Sequence, residues 1–296
     1  MTRQTKTRTA LDTLGDLYPF QSHWLDIGGV YMHYLDEGAG DPILMLHGNP
    51  TWSFYYRDLV IGLRDRYRVI VPDHVGCGMS DKPQSYPYTL STHIKNLQCL
   101  IDHLGLDRVT LAVHDWGGAI GMGWAVRNLR KVERLIVFNT AAFLGGRMPM
   151  RIAICRLPLL GALLVRGLNG FARPATWLAS TQHHRMAREV RRGYLLPYDS
   201  WSNRIAVHRF VQDIPSSPRV PSYYVVERLQ LALAQLRDRP MIVFWGMRDF
   251  CFTPFFLDEW IRRFPQAEVH KFEDAGHYVV EDAHERILPA LSKFLA

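Results

Sequence analysis

The sequence has few cysteines, and they form no familiar pattern. Its four cysteines are scattered along 296 residues without a C-x-x-C spacing. That distribution argues against both a disulfide framework and a structural zinc site. We therefore expect a protein that uses no metal and no cofactor.

Long apolar runs are also missing. The opening segment, MTRQTKTRTALDTLG, is basic and polar with no apolar run behind it, so it predicts neither a secretory signal nor a membrane anchor. The longest apolar run in the arginine-rich part of the chain, Leu157–Val165, is too short to span a bilayer. These features favour a cytoplasmic protein.

Acidic residues are scarce in one part of the chain. Between Phe143 and Val220 there are twelve arginines, no lysine and three acids, a formal charge of +9. The whole chain carries +7, so the remainder is near −2, and a charge confined to one segment does not indicate nucleic-acid binding. Three alternatives stay open: contact with an anionic lipid surface, contact with an acidic partner, or a solvated basic face.

Short apolar runs alternate with helical stretches over most of the chain. A β-hairpin is predicted at Trp24–Tyr34, where the residues alternate around a Gly-Gly pair. Strands that alternate with helices are typically parallel, which predicts an α/β fold with a mostly parallel central sheet and helices on both faces. The apolar runs are Ile43–Leu46, Val69–Val71, Val109–Val113, Leu135–Phe138, Met241–Trp245 and Val269–Phe272, and the helical stretches are Trp52–Leu63, Leu90–Leu104 and Ala283–Leu295.

The alternation stops between Phe143 and about Ser222. This stretch is a series of helical pieces rich in arginine, leucine and aromatic residues, with no strand-like run between them. The simplest account is a helical cap inserted into the α/β core. We place the cap, or lid, at residues 143–221 and the core at residues 1–142 and 222–296.

An aspartate occupies the junction between a predicted strand and a predicted helix. In the segment VTLAVHDWGGA, Asp115 follows an apolar run, and Gly117 and Gly118 keep the far side of the turn open. This is the strand, turn and helix context of a nucleophile elbow, with Asp115 in the place of the serine of G-x-S-x-G enzymes. Aspartate is also a common helix N-cap, so this segment alone leaves a structural role open.

A histidine and a second acid follow in the chain order of nucleophile, acid and histidine. His277, in FEDAGHY, lies after the last predicted strand and before the last helix, and Asp249 lies in a loop after the preceding strand. Its rivals Asp258 and Glu259 sit in the next predicted helix, while Asn139, at an alternative position for the acid, is not an acid. Asp249 is therefore the predicted partner of His277.

The segment LMLHGNPTW ends a predicted strand in a turn that can direct backbone N–H groups at the space above the nucleophile. Such donors stabilise developing negative charge. Asn49 in this turn and Trp116 beside Asp115 also carry side-chain N–H groups, which can converge on a leaving group. The alternatives are that Trp116 only roofs the pocket and that Asn49 only holds the turn.

A carboxylate nucleophile restricts the chemistry. It is already ionised near neutral pH, and it attacks best at a saturated carbon that bears a leaving group, which produces an alkyl ester of the enzyme. In a hydrolase of this kind His277, oriented and charge-balanced by Asp249, would then activate water. Esterase and protease chemistry is disfavoured, because acyl transfer to a carboxylate gives only a labile anhydride.

Over most of its length the chain resembles the haloalkane dehalogenase branch of the α/β-hydrolases. Within that branch it is most similar to the β-lactone decarboxylases of bacterial long-chain olefin biosynthesis. The segments FNTAAF and RFVQDIP, which border or lie in the cap, favour the decarboxylases. The other shared segments are LHGNPTWSFYYR, IVPDHVGCGMSDKP, LAVHDWGGAIGMGWA, WGMRDFCF and FEDAGHYVVED.

The resemblance implies the α/β-hydrolase fold and a cis-3,4-dialkyl β-lactone (oxetan-2-one) as substrate, which loses carbon dioxide to leave a cis-alkene. It implies that Asp115 is the nucleophile, that His277 and Asp249 are its partners, and that Asn49 and Trp116 grip the departing carboxylate. It also implies association with the other enzymes of the pathway.

The cap sequence agrees with an apolar substrate. Leu157–Val165, Phe171 and Trp177 are apolar residues of the kind that line a channel for alkyl chains. The alternative is that these residues only pack the cap onto the core.

Three other interpretations remain at this point. A haloalkane dehalogenase would use the same five site residues and would consume water, and a non-catalytic hydrolase scaffold would bind a ligand without turnover. An epoxide hydrolase shares the His-Gly-x-Pro segment and the Asp-Trp elbow, although Asn49 weighs against it, because those enzymes usually have an aromatic residue there. It also needs two cap tyrosines, and the candidates are Tyr194, Tyr198, Tyr223 and Tyr224.

Overall fold

One eight-stranded sheet organises the protein. A computed structural model describes residues 9–181 and 186–296. The strands are β1 (Ser22–Asp26), β2 (Tyr31–Glu37), β3 (Pro42–Leu46), β4 (Arg68–Pro72), β5 (Val109–Asp115), β6 (Val132–Thr140), β7 (Met241–Gly246) and β8 (Glu268–Phe272). Their order in the sheet is β1-β2-β4-β3-β5-β6-β7-β8.

Only the first edge of the sheet is antiparallel. Strand β2 pairs antiparallel with both β1 and β4, which confirms the predicted hairpin. All remaining pairs, from β4 to β8, are parallel. The predicted α/β class with a mostly parallel sheet is therefore confirmed.

Eleven α-helices lie within the described residues. Those of the first half are α1 (Arg57–Leu63), α2 (Leu90–His103) and α3 (Trp116–Ala125), and those of the last part are α9 (Pro221–Ala232), α10 (Pro254–Arg263) and α11 (Val279–Leu295). Between them lie α4 (Met150–Cys155), α5 (Leu160–Ala162), α6 (Ala172–Leu178), α7 (Arg188–Leu195) and α8 (Ile205–Gln212). Shorter 3-10 segments are Gly15–Leu17, Ser53–Tyr56, Leu129–Lys131, Ser202–Arg204 and Leu233–Leu236, and Leu163–Gly167 is a π-helical turn.

The two faces of the sheet are both buried. Along β5, Leu111 and Val113 pack into one cluster with side chains of α2, α3, α9 and α10, and Ala112 packs into a second cluster with α1 and α11. Successive strand residues point to opposite faces, so an apolar run without alternation is what two covered faces require. This burial explains why β5 is apolar from Val109 to Val113.

Within the described residues, no strand lies between β6 and β7, and helices α4 to α8 occupy this stretch. They form a small cluster of their own around Val165, Tyr198, Val207 and Val211. The predicted boundaries of the cap, 143–221, stay a prediction. No helix of the described residues has both the length and the apolar character to cross a membrane.

Two buried contacts fasten these helices to the core. The Asp213 carboxylate accepts a hydrogen bond from the Leu90 N–H at 2.9 Å, at the start of α2, where negative charge is favourable. The Tyr194 hydroxyl of α7 donates to Glu281 at 2.7 Å, and Arg57 binds the same carboxylate through both terminal nitrogens at 2.7 and 2.9 Å. Both contacts keep the helices close above the carboxyl ends of the strands.

Candidate active site

Asp115 lies at a tight turn between β5 and α3. Its φ is 49° and its ψ is −123°, a positive φ that is uncommon for a residue other than glycine. The turn fits because Gly117 follows: a Cβ there would overlap the Leu46 carbonyl of β3. The Thr140 hydroxyl also donates to the Asp115 carbonyl from the neighbouring strand β6.

Backbone donors hold the Asp115 carboxylate. The Asn49 N–H donates to Asp115 Oδ1 at 2.6 Å, and the backbone N–H of Trp116 also bonds to the carboxylate. Gly48 allows this approach, since a Cβ at that position would overlap the carboxylate. Burial raises the pKa of Asp115, and the His277 charge and the two N–H donors only partly oppose this rise. The Asp115 carboxylate is therefore held in place, and it needs a higher pH for ionisation than an exposed aspartate.

The structure brings His277 and Asp249 together beside Asp115. His277 Nδ1 lies 2.8 Å from Asp249 Oδ2, and His277 Nε2 lies 3.8 Å from Asp115 Oδ2. The Cys251 N–H donates to the other Asp249 oxygen at 2.6 Å, which fixes its carboxylate. Burial lowers the pKa of His277, but the charge and hydrogen bond of Asp249, with the charge of Asp115, outweigh it and raise the pKa.

Asn139, the alternative position for the acid, has a structural contact instead. Its Nδ2 donates to the Gly246 carbonyl at 3.0 Å, and its Oδ1 accepts from the Gly246 N–H at 2.8 Å. These two bonds join the ends of β6 and β7. The side chain of Asn139 therefore bonds to β7 and not to His277, and Asp249 is the acid that bonds to the histidine.

Asn49 and Trp116 both border the site, but their side-chain donors differ. Asn49 Nδ2 donates to the Val207 carbonyl of α8 at 3.2 Å, and its Oδ1 is buried without a partner in the described structure. The Trp116 ring packs against Phe210 with centroids 5.2 Å apart, and no hydrogen bond from its indole N–H occurs within the described residues. Of the two side chains predicted to donate to a leaving group, Asn49 already donates to Val207, whereas the indole N–H of Trp116 makes no hydrogen bond within the described residues.

A mostly apolar cavity of about 260 Å³ lies above Asp115. Its wall joins core residues to the helices α4, α6 and α8. The lining residues are Asn49, Pro50, Asp115, Trp116, Arg151, Ile152, Cys155, Gly170, Phe171, Pro174, Ala175, Leu178, Ala179, Val211, Ile214, Phe250, Cys251, His277 and Tyr278. An apolar wall with a few polar groups at one end suits a hydrophobic ligand.

The predicted channel lining is right for Phe171 and wrong for Leu157–Val165 and Trp177. Phe171 lines the cavity, whereas Trp177 is 49% exposed and Leu159 is 88% exposed. Helix α4 turns a different face inward, with Ile152 and Cys155 against the cavity. The apolar run therefore covers the outside of the cap rather than its interior.

The four cap tyrosines considered for an epoxide hydrolase do not line the cavity either. Tyr194 donates to Glu281 and Tyr198 donates to the Thr51 carbonyl at 3.3 Å, and both are buried. With their hydroxyls directed at the core, these two tyrosines cannot grip an epoxide oxygen in this arrangement.

Phe210 and Val207 were not singled out by the sequence reasoning. Phe210 lies between Trp116 and His93, whose ring centroid is 4.5 Å away. Val207 offers the carbonyl that binds Asn49. A single sequence does not show contacts between the cap and the core. The one sequence feature that pointed to Phe210 was its position in the segment RFVQDIP. Within the described residues, no group of three or more His, Cys, Asp or Glu side chains is placed to hold a metal ion.

The comparison with known proteins agrees with this geometry. The family model of the alpha/beta hydrolase fold matches residues 41–283. This chain belongs to that family. The hydrolase is 48% identical to the cis-3-alkyl-4-alkyloxetan-2-one decarboxylase of Xanthomonas campestris, over 94% of this chain and 97% of that protein. It is 44% identical to the protein of the same name from Shewanella oneidensis, over 95% of this chain and 90% of that protein.

Among solved structures, this α/β-hydrolase is similar to the haloalkane dehalogenase DatA from Agrobacterium tumefaciens. The TM-score is 0.85 at 26% identity, over 96% of this chain and 98% of that one. The similarity covers both the sheet and the helices above it, so the resemblance seen in the sequence extends to the fold.

Proposed function

We propose that this α/β-hydrolase is a β-lactone decarboxylase that converts cis-3,4-dialkyl-oxetan-2-ones to cis-alkenes and carbon dioxide. The observation that carries the proposal is the identity of 44% and 48%, over nearly the full length, to two proteins named as such decarboxylases. The buried carboxylate of Asp115, at the floor of an apolar cavity, supports it independently. Dialkyl substrates need such an apolar wall.

The first step is attack of the Asp115 carboxylate on C4, the saturated ring carbon that bears the ring oxygen. A bond forms between C4 and the carboxylate oxygen, and the C4–O bond of the ring breaks with its electron pair on oxygen. The product is an alkyl ester of Asp115 with a free carboxylate at C2. Trp116 lines the cavity, and in this proposal its indole N–H donates to the departing carboxylate.

The second step is collapse of the ester. The bond between C2 and C3 breaks, and its electrons form the C3–C4 double bond. The bond from C4 to Asp115 breaks at the same time, which regenerates the carboxylate and releases carbon dioxide. No water and no proton enter the balance.

The geometry of attack accounts for the cis product. Attack on the face of C4 opposite the ring oxygen places Asp115 anti to the C2–C3 bond. An anti elimination from that arrangement keeps two cis alkyl groups on the same side. The cis-alkene therefore follows from one displacement and one elimination.

His277 is a charge partner in this reaction rather than a base. Its raised pKa favours the imidazolium form, which lies between the carboxylates of Asp115 and Asp249. A third carboxylate develops on the substrate, and a positive charge nearby stabilises it in the mostly apolar cavity.

The test is turnover of a synthetic cis-3,4-dialkyl β-lactone, with alkene measured by gas chromatography and carbon dioxide by headspace analysis. We expect equal amounts of both products from the wild type and none from Asp115→Asn. Halide release from a bromoalkane without any alkene from the lactone would overturn the proposal.

A haloalkane dehalogenase is the second candidate, because the fold is similar to that of DatA and a histidine bonded to Asp249 beside Asp115 would suit the activation of water. A His277→Gln variant separates the two. With a haloalkane it would accumulate an ester on Asp115 visible by mass spectrometry. With the β-lactone the ester collapses without water, so no adduct accumulates and alkene is still formed.

Two further predictions from the sequence stay proposals. We propose a cytoplasmic location for this enzyme. We also propose association with the other enzymes of olefin biosynthesis, as the resemblance seen in the sequence implies.

A further inference from the structure

Six large apolar side chains project into solvent along one stretch of the cap. We call them the cap patch: Met150, Ile154, Leu157, Leu159, Leu160 and Leu163, which are 73, 39, 46, 88, 44 and 55% exposed. They lie on α4, on the following turn, on α5 and at the start of the π-helical turn. A contiguous group of exposed aliphatic residues is unusual on a monomer and marks an interaction surface.

The cap patch lies within a purely basic segment. From Arg147 to Arg166 the chain has four arginines, no lysine and no acid. Arg147 and Arg151 are exposed, so positive charge surrounds the apolar side chains. The surface is thus apolar at its centre and cationic around it.

The backbone presents one of these leucines in an unfavourable conformation. Leu159 has a φ of 59° and a ψ of −56°, and the Leu160 N–H donates to the Pro158 carbonyl at 2.6 Å, so Leu159 is the central residue of a γ-turn with positive φ, which is rare and strained. Its side chain is the most exposed of the patch. Packing does not account for a leucine there, whereas insertion into an apolar phase does.

The cap patch covers the outer side of the cavity wall. Ile152 and Cys155 of α4 line the cavity, and Met150 and Ile154 of the same helix face solvent. Leu178, at the end of α6, lines the cavity and is 50% exposed. Helix α4 therefore has the cavity on one side and the cap patch on the other, and the cavity has an exposed apolar side chain at Leu178.

We propose that the cap patch docks this enzyme onto the surface of a bilayer that contains anionic lipids. The leucines enter the boundary between headgroups and acyl chains, and the arginines bind the lipid phosphates. Four of the six patch residues are leucines, which are under-represented among the hot-spot residues of protein interfaces, and this favours lipid over an acidic protein. If the proposed function holds, docking also brings the cavity to the phase in which dialkyl lactones dissolve.

The test is flotation of the whole protein with vesicles, which separates bound protein from aggregates. With vesicles of phosphatidylglycerol and phosphatidylcholine at low salt we expect the protein to float, and with phosphatidylcholine alone we expect it to stay behind. Raising the salt to 1 M weakens binding, because screening acts on the arginines. Wild-type protein that never floats with the anionic vesicles would overturn the proposal and leave the patch to a protein partner.

Variants locate the surface. Met150→Gln/Leu159→Asn removes two exposed apolar side chains without changing charge. We expect at least tenfold weaker vesicle binding. Arg147→Gln lowers binding about fivefold, the effect of one arginine near an anionic surface.

Leu231→Asn is the matched control, because Leu231 is 76% exposed on α9, outside the cap patch. It should float as the wild type does. A double variant that floats like the control would contradict the assignment. Thermal unfolding checks that each variant folds. Alkene release from a lactone dissolved in detergent tests the proposed function without a membrane, so loss of docking is distinguished from loss of activity.

Discussion

The Nε2 atom of His277 lies 3.8 Å from Oδ2 of Asp115, beyond hydrogen-bond distance but within reach of a strong charge interaction. On its other side the same ring is bonded to Asp249 at 2.8 Å. The histidine is therefore held by one carboxylate and faces another. In this position His277 can act either as a base that activates water or as a cation that balances the negative charge of the reacting carboxylates. The two roles require different protonation states, so the pH dependence of the rate separates them.

Asp115→Asn is expected to abolish turnover and to leave the fold intact. The amide is isosteric but cannot displace a leaving group, so kcat falls about 10⁴-fold or more. Because the pKa of Asp115 is raised, its ionised form destabilises the folded state above the ordinary pKa of about 3.9. The variant should thus unfold at an equal or higher temperature at pH 7, measured by circular dichroism. A lower temperature would contradict this electrostatic account.

The acid limb of the pH profile should reflect Asp115. Its raised pKa means that kcat/KM for the β-lactone falls as the pH drops through a value above about 3.9, where the carboxylate becomes protonated. A plot of kcat/KM from pH 4 to pH 9 measures this limb. A profile that stays flat down to pH 4 would contradict it.

The alkaline limb should reflect His277. Because its pKa is raised above the ordinary value of about 6.5, decarboxylation should decline as the pH passes through that higher value and the imidazolium is lost. Hydrolysis of a haloalkane has the opposite dependence, since a base must be unprotonated. The same enzyme preparation assayed on both substrates provides the comparison.

Asp249→Asn should affect the two reactions unequally. The variant removes the charge that raises the pKa of His277, and it also disturbs the ring orientation. Water activation would fall about 10³- to 10⁴-fold, as expected for loss of the acid in such a triad. For the lactone, which needs no base, we expect a loss of about tenfold, because only charge stabilisation is removed. Equal losses on both substrates would argue that water takes part in lactone turnover.

Trp116→Phe should isolate the indole N–H. The phenyl ring keeps the packing against Phe210, and the variant loses the indole N–H of a residue that lines the cavity. A hydrogen bond to a charged group contributes about 1.5–3 kcal/mol, so kcat/KM should fall about tenfold to a hundredfold. The unfolding temperature is the control and should change little. An unchanged kcat/KM would leave Trp116 as a roof of the pocket.

Glu281→Gln should loosen the attachment of the cap to the core. The variant leaves the buried Arg57 with the partly exposed Asp58 at 3.1 Å as its charged partner, so the loss of unfolding free energy should be about 3 kcal/mol, the lower end for a broken buried ion pair. Burial raises the pKa of Glu281, but Arg57 outweighs it, so the pKa is lowered. The stabilisation is therefore present above the ordinary pKa of about 4.3 and is lost as the pH falls through the lower folded value.

Urea unfolding of the wild type and of Glu281→Gln, at pH 7 and below pH 4, measures this contribution. The difference between them should shrink in acid. Tyr194→Phe is the matched control for the cap, because it removes one hydrogen bond to the same carboxylate and should cost about 1 kcal/mol. A difference independent of pH would show that Glu281 acts through packing alone.

The sequence by itself determined the positions of most strands and the order along the chain of Asp115, Asp249 and His277. Apolar runs bounded by turn residues located the strands, because a strand covered on both faces must be apolar throughout. Asp115, Asp249 and His277 were recognisable because each follows a strand at the same edge of a parallel sheet, where the carboxyl ends meet. Those are local signals, and the structure brings the three residues together.

Only the tertiary structure decided which cap residues face the cavity and which donors are engaged. Leu157–Val165 spans a turn, the three-residue helix α5 and part of a π-helical turn, and such short segments do not reveal which face is buried, so the predicted inward orientation is wrong for most of the run. The amide of Asn49 bonds to Val207, far along the chain, and no local pattern reports such a contact. Burial and hydrogen bonding between the cap and the core depend on partners from distant segments, and these are set only when the chain folds.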